Sequence, residues 1–116
     1  MPQTNEQARV FVCDAADMED NQIRQLTPCD AAPIAVYKVN GEFFATDDTC
    51  THGQALLSEG EVGEDGMVEC PWHGGTFCVR TGKATGFPAV IPLKVYPIRV
   101  EEGKVYVDLA PQSQPE

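Results

Sequence analysis

Histidine is almost missing from this chain, with two among 116 residues. Basic residues are scarce too: eight Lys and Arg stand against 18 Asp and Glu, for a net charge of −10. That balance excludes nucleic acid as a partner, because binding it depends on a cationic footprint, and it disfavours anionic lipid surfaces. No apolar stretch approaches the ~20 residues a membrane helix needs. The N-terminus shows no basic start followed by an apolar stretch, so no signal peptide is expected and a cytoplasmic location follows. No segment of ten or more residues keeps a helical period, and there are no internal repeats or low-complexity tracts. A helix bundle and an α/β sheet are therefore both disfavoured.

What is present is strand and turn chemistry. The length fits one domain over 1–116 and allows roughly two-thirds of the unfolded surface to be buried. Residues 1–8 and 110–116 are polar and rich in Pro and Gln, and read as frayed tails. Arg9–Val12 is the expected first strand, with Asp14 capping a short turn over Ala15–Met18. Ile34–Val39, Asn40-Gly41 and Glu42–Thr46 have the form of a two-residue hairpin. A second hairpin is expected from Leu93–Val100 through Glu101-Glu102-Gly103 into Lys104–Leu109, with Pro97 marking an edge or bulge. Met67–Glu69 and Thr76–Val79 read as short strands, Arg80–Lys83 as a turn, and Gln54–Leu57 as another short turn. Many short strands with Gly/Pro-rich turns predict an all-β fold, a sandwich or small barrel.

Both histidines fall in one pattern. Cys50-Thr51-His52 and Cys70-Pro71-Trp72-His73 each place a histidine close behind a cysteine, on two short loops. Two thiolates and two imidazoles suit a two-iron cluster, with Cys50 and Cys70 on one iron and His52 and His73 on the other. They also make a Cys₂His₂ zinc set, so a structural zinc-binding module is the alternative. Zinc sites usually pair like with like, as C-x₂₋₄-C and H-x₃₋₅-H. The mixed Cys/His order within each loop favours the cluster. A Cys–His nucleophilic enzyme lacks an orienting partner in the sequence. Gly53, Gly74 and Gly75 follow the histidines, where backbone N–H groups can approach cluster sulfurs. The remaining cysteines, Cys13, Cys29 and Cys78, form an odd set without paired spacing, which argues for small buried thiols rather than disulfides.

Cys50-Thr51-His52-Gly53 followed by Cys70-Pro71-Trp72-His73-Gly74-Gly75 resembles the Rieske box of the small [2Fe–2S] ferredoxins of bacterial aromatic-ring-hydroxylating dioxygenases. The likeness extends over Asn40–Thr49, Phe77–Lys83 and Val95–Ile98, and covers roughly 34–109. It implies an all-β Rieske domain, a sandwich with partial barrels, whose small cluster-binding subdomain is formed by two loops within about 48–88. It implies a soluble one-electron carrier, not itself an enzyme, in aromatic compound catabolism. Its partners would be an NADH-dependent flavoprotein reductase and a terminal oxygenase. A nitrite reductase small subunit is the second relative implied. A terminal oxygenase subunit is excluded, because both histidines are already used and none is left for a catalytic iron.

Departures from the respiratory Rieske proteins carry information. The positions of their bracing disulfide are Ala55 and Trp72 here, and those of their Ser and Tyr hydroxyl donors are Gly75 and Phe77. Fewer donors to the cluster sulfurs imply a reduction potential at the low end of the Rieske range, roughly −150 mV. Reduction should also favour protonation of His52 and His73, so the potential should fall at alkaline pH. Trp72 reads equally as an exposed docking aromatic or as one tucked against the sheet. Gly86-Phe87-Pro88 reads as a third loop shielding the cluster, or as an ordinary turn. Glu59, Glu61, Glu64, Asp65 and Glu69 lie between the two ligand loops and would steer the protein toward basic partner surfaces.

Overall fold

The run Ile34–Val39 is apolar at every position but Lys38, and its place in the fold explains why. The structure, a computed structural model, describes residues 9–27, 33–50, 55–71, 74–86 and 91–108. Its described strands are β1 (Arg9–Asp14), β2 (Gln22–Leu26), β3 (Ile34–Val39), β4 (Glu42–Asp47), β5 (Glu61–Val62) and β6 (Met67–Glu69). They continue with β7 (Thr76–Cys78), β8 (Ala84–Gly86), β9 (Val95–Tyr96), β10 (Ile98–Glu101) and β11 (Lys104–Asp108). Among the described residues helix is limited to two 3-10 turns, Ala15–Asp17 and Leu57–Glu59.

The strands form three antiparallel sheets, β1-β11-β10, β2-β3-β4-β9 and β5-β6-β7-β8. The middle one is packed on both faces. Successive strand side chains point to opposite faces. Accordingly, Ile34 and Val36 join Cys13, Met18, Ala45, Val105 and Val107 under the first sheet. Ala35, Tyr37 and Val39 join Leu57, Val62, Val68, Phe77 and Val79 under the third. A strand buried on both faces has no solvent side to make polar, hence the continuous apolar run.

The expected hairpins form. Asn40 and Gly41 take φ of 51° and 82°, the type I′ turn that matches strand twist. Glu102 and Gly103 repeat it at 52° and 78° between the paired residues Glu101 and Lys104. The first arm of the second hairpin is not one strand, however. Val95 and Tyr96 pair with Thr46 and Ala45 of β4, at the edge of the middle sheet. Ile98 onward pairs with β11 in another sheet. Pro97 stands at the switch, where it has no N–H to extend either ladder and its carbonyl accepts from the Asp108 N–H at 3.0 Å.

Two local expectations are corrected. Asp14 does occupy the N-cap of the first 3-10 turn, but its carboxylate caps nothing; it accepts instead from Lys104 Nζ at 3.3 Å. The turn expected over Gln54–Leu57 falls at Leu57–Glu59. Leu56 is extended because it bridges to Thr49, and Gln54 lies outside the described residues, as do both tails.

Candidate metal centre

Cys50 and Cys70 hold equivalent places in two hairpin tips. In the first, Thr49 and Leu56 form an antiparallel bridge, and the Cys50 N–H donates to the Ala55 carbonyl at 2.9 Å. In the second, β6 and β7 pair as far as Glu69 and Thr76. There the Cys70 N–H donates to the Gly75 carbonyl at 2.7 Å, and the Gly74 N–H returns to the Cys70 carbonyl at 3.1 Å. Gly74 has φ of 79°, a conformation that glycine takes without the penalty of a Cβ. Each cysteine is thus the last residue before its tip, tied by its own N–H to the returning chain.

The bases of the two loops meet in one apolar cluster. Cys50 and Cys70, each 2% exposed, pack with Ala55, Leu57, Val62, Val68, Phe77 and Val79. Two soft donors in one dry environment fit a thiolate-held iron. His52 and His73 lie outside the described residues, as do Trp72, Phe87 and Pro88, so the imidazole half of the ligand set is carried by the sequence pattern. Gly75 and Phe77 are both buried here, and neither side chain has a hydroxyl to donate.

The first tip is braced from beneath. Asp48 is fully buried, and its carboxylate accepts from the Ser58 N–H at 2.7 Å, the Ser58 hydroxyl at 2.8 Å and the Gln25 amide at 2.7 Å. Sequence reasoning missed this residue. The one available signal was an acid at an alternating position that continues a half-buried strand. Next to it, Tyr96 donates to Asp47 at 2.6 Å, while Tyr37 and Thr46 share a 2.8 Å hydrogen bond in the core. Burial pushes both phenols well above the ordinary tyrosine range, and the Asp47 carboxylate adds to this at Tyr96.

The five acids expected to rim the site divide into two groups. Glu59, Glu61 and Glu69 line a cleft of about 260 Å³ with Cys70, Pro71 and Gly74. Glu64 and Asp65 sit in the turn between β5 and β6, where Asn40 of the first hairpin donates to the Glu64 carbonyl at 3.1 Å. Of the other cysteines, Cys13 is buried, and burial raises its thiol. Cys78 is only half-buried, at the strand end where Lys83 and Gly82 close the turn. Burial pushes it up, but hydrogen bonds from Thr81 and Arg80 and the Arg80 charge bring it below its ordinary value. Cys29 is outside the described residues.

A scan against family models matches residues 8–97 to the Rieske [2Fe-2S] domain. The chain is 51% identical over 96 residues to ferredoxin CarAc of Metapseudomonas resinovorans, covering 83% of this chain and 89% of that one. It is 44% identical over 108 residues to the 3-phenylpropionate/cinnamic acid dioxygenase ferredoxin subunit of Escherichia coli K12, covering 92% and 98%. Among solved structures, one chain in the complex of reduced oxygenase and oxidized ferredoxin in carbazole 1,9a-dioxygenase aligns with a TM-score of 0.88. That match has 46% identity and covers 93% of this chain and 99% of that one. These matches set the zinc alternative aside. With its all-β frame, its paired tips and its relatives of matching length, the chain belongs to the Rieske [2Fe-2S] domain family, as a ferredoxin that carries one two-iron cluster and transfers electrons rather than catalysing a reaction.

Proposed function

We propose that this ferredoxin passes single electrons from an NADH-dependent flavoprotein reductase to a terminal oxygenase that hydroxylates aromatic rings, in the cytoplasm and as one domain spanning 1–116. In this reading Cys50 and Cys70 hold one iron, and His52 and His73 hold the other. When bound, the cluster supplies one-electron chemistry. The chain supplies two loops whose bases are closed by backbone hydrogen bonds, and an apolar base that keeps water from the sulfurs. The observation that carries the reading is the equivalent placement of Cys50 and Cys70 at two tips sharing one buried cluster. Relatives of nearly the same length, the ferredoxin subunit of 3-phenylpropionate/cinnamic acid dioxygenase and the ferredoxin solved with the oxygenase of carbazole 1,9a-dioxygenase, support the choice of partners. They make the nitrite reductase role the weaker one.

Electron paramagnetic resonance of the dithionite-reduced protein, with its visible spectrum, tests the ligand set. A Rieske signal with low average g is expected, lost in Cys50→Ser and in His73→Cys. A colourless protein would overturn the reading. Reconstitution with dioxygenase-type and nitrite-reductase-type partners then tests the role, with turnover expected only in the former.

A further inference from the structure

Asp48 is the one charged side chain among the described residues that is fully buried, at 0% exposure. It stands two residues before Cys50, no more than about 7 Å of backbone away. Its carboxylate does not face the cluster loop as an open acid. One oxygen accepts from the Ser58 N–H at 2.7 Å, and the other accepts from the Ser58 hydroxyl at 2.8 Å and the Gln25 amide at 2.7 Å. Its main chain is held on both sides as well, donating to the Pro33 carbonyl at 3.0 Å and accepting from the Leu57 N–H at 2.7 Å.

These partners come from three parts of the chain. Gln25 belongs to β2, Pro33 leads into β3, and Leu57 and Ser58 lie on the 3-10 turn that follows the first tip. One side chain therefore joins the outgoing and returning limbs of the Cys50 tip and fastens both to the middle sheet. A buried charge is also screened little by salt. A carboxylate carried two residues from the ligand opposes the negative charge that reduction adds.

We propose that Asp48 is the positioning residue of the first cluster loop, and that its buried charge holds the reduction potential of this ferredoxin down. The inference rests on Cys50 being a cluster ligand. It adds a second cause of low potential to the missing hydroxyls at Gly75 and Phe77, and the two causes are separable by mutation.

Asp48→Asn removes the charge but hardly changes the volume. The Ser58 hydroxyl can rotate and the Gln25 amide can turn to pair with the new donor, so the tip keeps its brace. Redox titration of the cluster-loaded variant should give a midpoint above that of the wild type, with the difference retained from low to high salt. Glu61→Gln, on the exposed rim, should give a shift that disappears at high salt. Asp48→Ala removes the brace itself and should lose most of the visible absorbance on purification, where Asp48→Asn retains it. A wild-type Rieske spectrum with an unchanged Asp48→Asn midpoint would overturn the inference and leave the functional reading standing. A wild-type protein without that spectrum would overturn both.

Discussion

Tyr96 and Asp47 are joined at the end of the strand that leads to Cys50. Their 2.6 Å hydrogen bond joins β9 to the last residue of β4, immediately before the buried Asp48. Tyr96→Phe deletes the donor and leaves the carboxylate to recover water from a half-open site. It should cost about 1–2 kcal/mol, read as a lower urea midpoint with unchanged slope. The same pair sets a pH dependence. The fold keeps Tyr37 and Tyr96 protonated where the unfolded chain begins to release those protons, from about pH 10. Their stabilisation is complete below that pH and is lost as pH rises above it. Urea titrations at increasing alkaline pH should show this fall, and it should be shallower in Tyr96→Phe. At Gly75 and Phe77 the missing hydroxyls bear on potential instead: the wild-type midpoint should lie near the low end of the Rieske range, roughly −150 mV, and a clearly positive titration would contradict this account.

Turns in this fold serve two purposes, and two glycines separate them. Gly41 has φ of 82° with nothing within 4 Å of where a Cβ would stand. Gly41→Ala should therefore cost only backbone strain, about 1–2 kcal/mol, while cluster retention stays at the wild-type level. Gly60 needs no unusual φ, but a Cβ there would collide with the Glu69 carbonyl and meet Pro71 Cδ at 3.2 Å. It is the contact that seats the turn after the first tip against the strand entering the second. Gly60→Ala should push the two tips apart and lower the iron content of the purified protein, whatever it does to the melting temperature. Equal iron content in the two variants would show that the tips are not held in register at Gly60.

The whole molecule carries its charge unevenly around the site. The net charge is −10, and three of the acids flank the cleft beside Cys70. Such a surface speeds encounters with a basic partner face and loses that advantage as salt rises. Stopped-flow rates of electron transfer to a terminal oxygenase should fall with ionic strength. Neutralising Glu59, Glu61 and Glu69 together should remove most of that dependence, while neutralising Glu64 and Asp65, at the remote turn, should remove less.

Much of this was legible in the amino-acid order because it depends on neighbours along the chain. Asn40-Gly41 needs only its own backbone preferences to make a type I′ turn, and the period of two in Lys104–Asp108 needs only a sheet with one wet face. The mixed Cys/His order within each short loop favours a two-iron cluster over zinc, and that order is read along the chain. Other features depend on partners far away in sequence. Pro97 reads locally as an edge or bulge, but only closure of the sheets makes it the point where one arm leaves β4 for β11. The five acids between the loops look alike in sequence, and the folding of β5 against β6 sets two of them apart from the site. Asp48 looks like one more surface acid in a run of two; Gln25, from β2, and Ser58, beyond the tip, turn it into a buried brace. Cys50 and Cys70 stand out as candidate ligands from their order, but their meeting at one apolar base is a tertiary fact, because burial and hydrogen-bond satisfaction are properties of the closed structure.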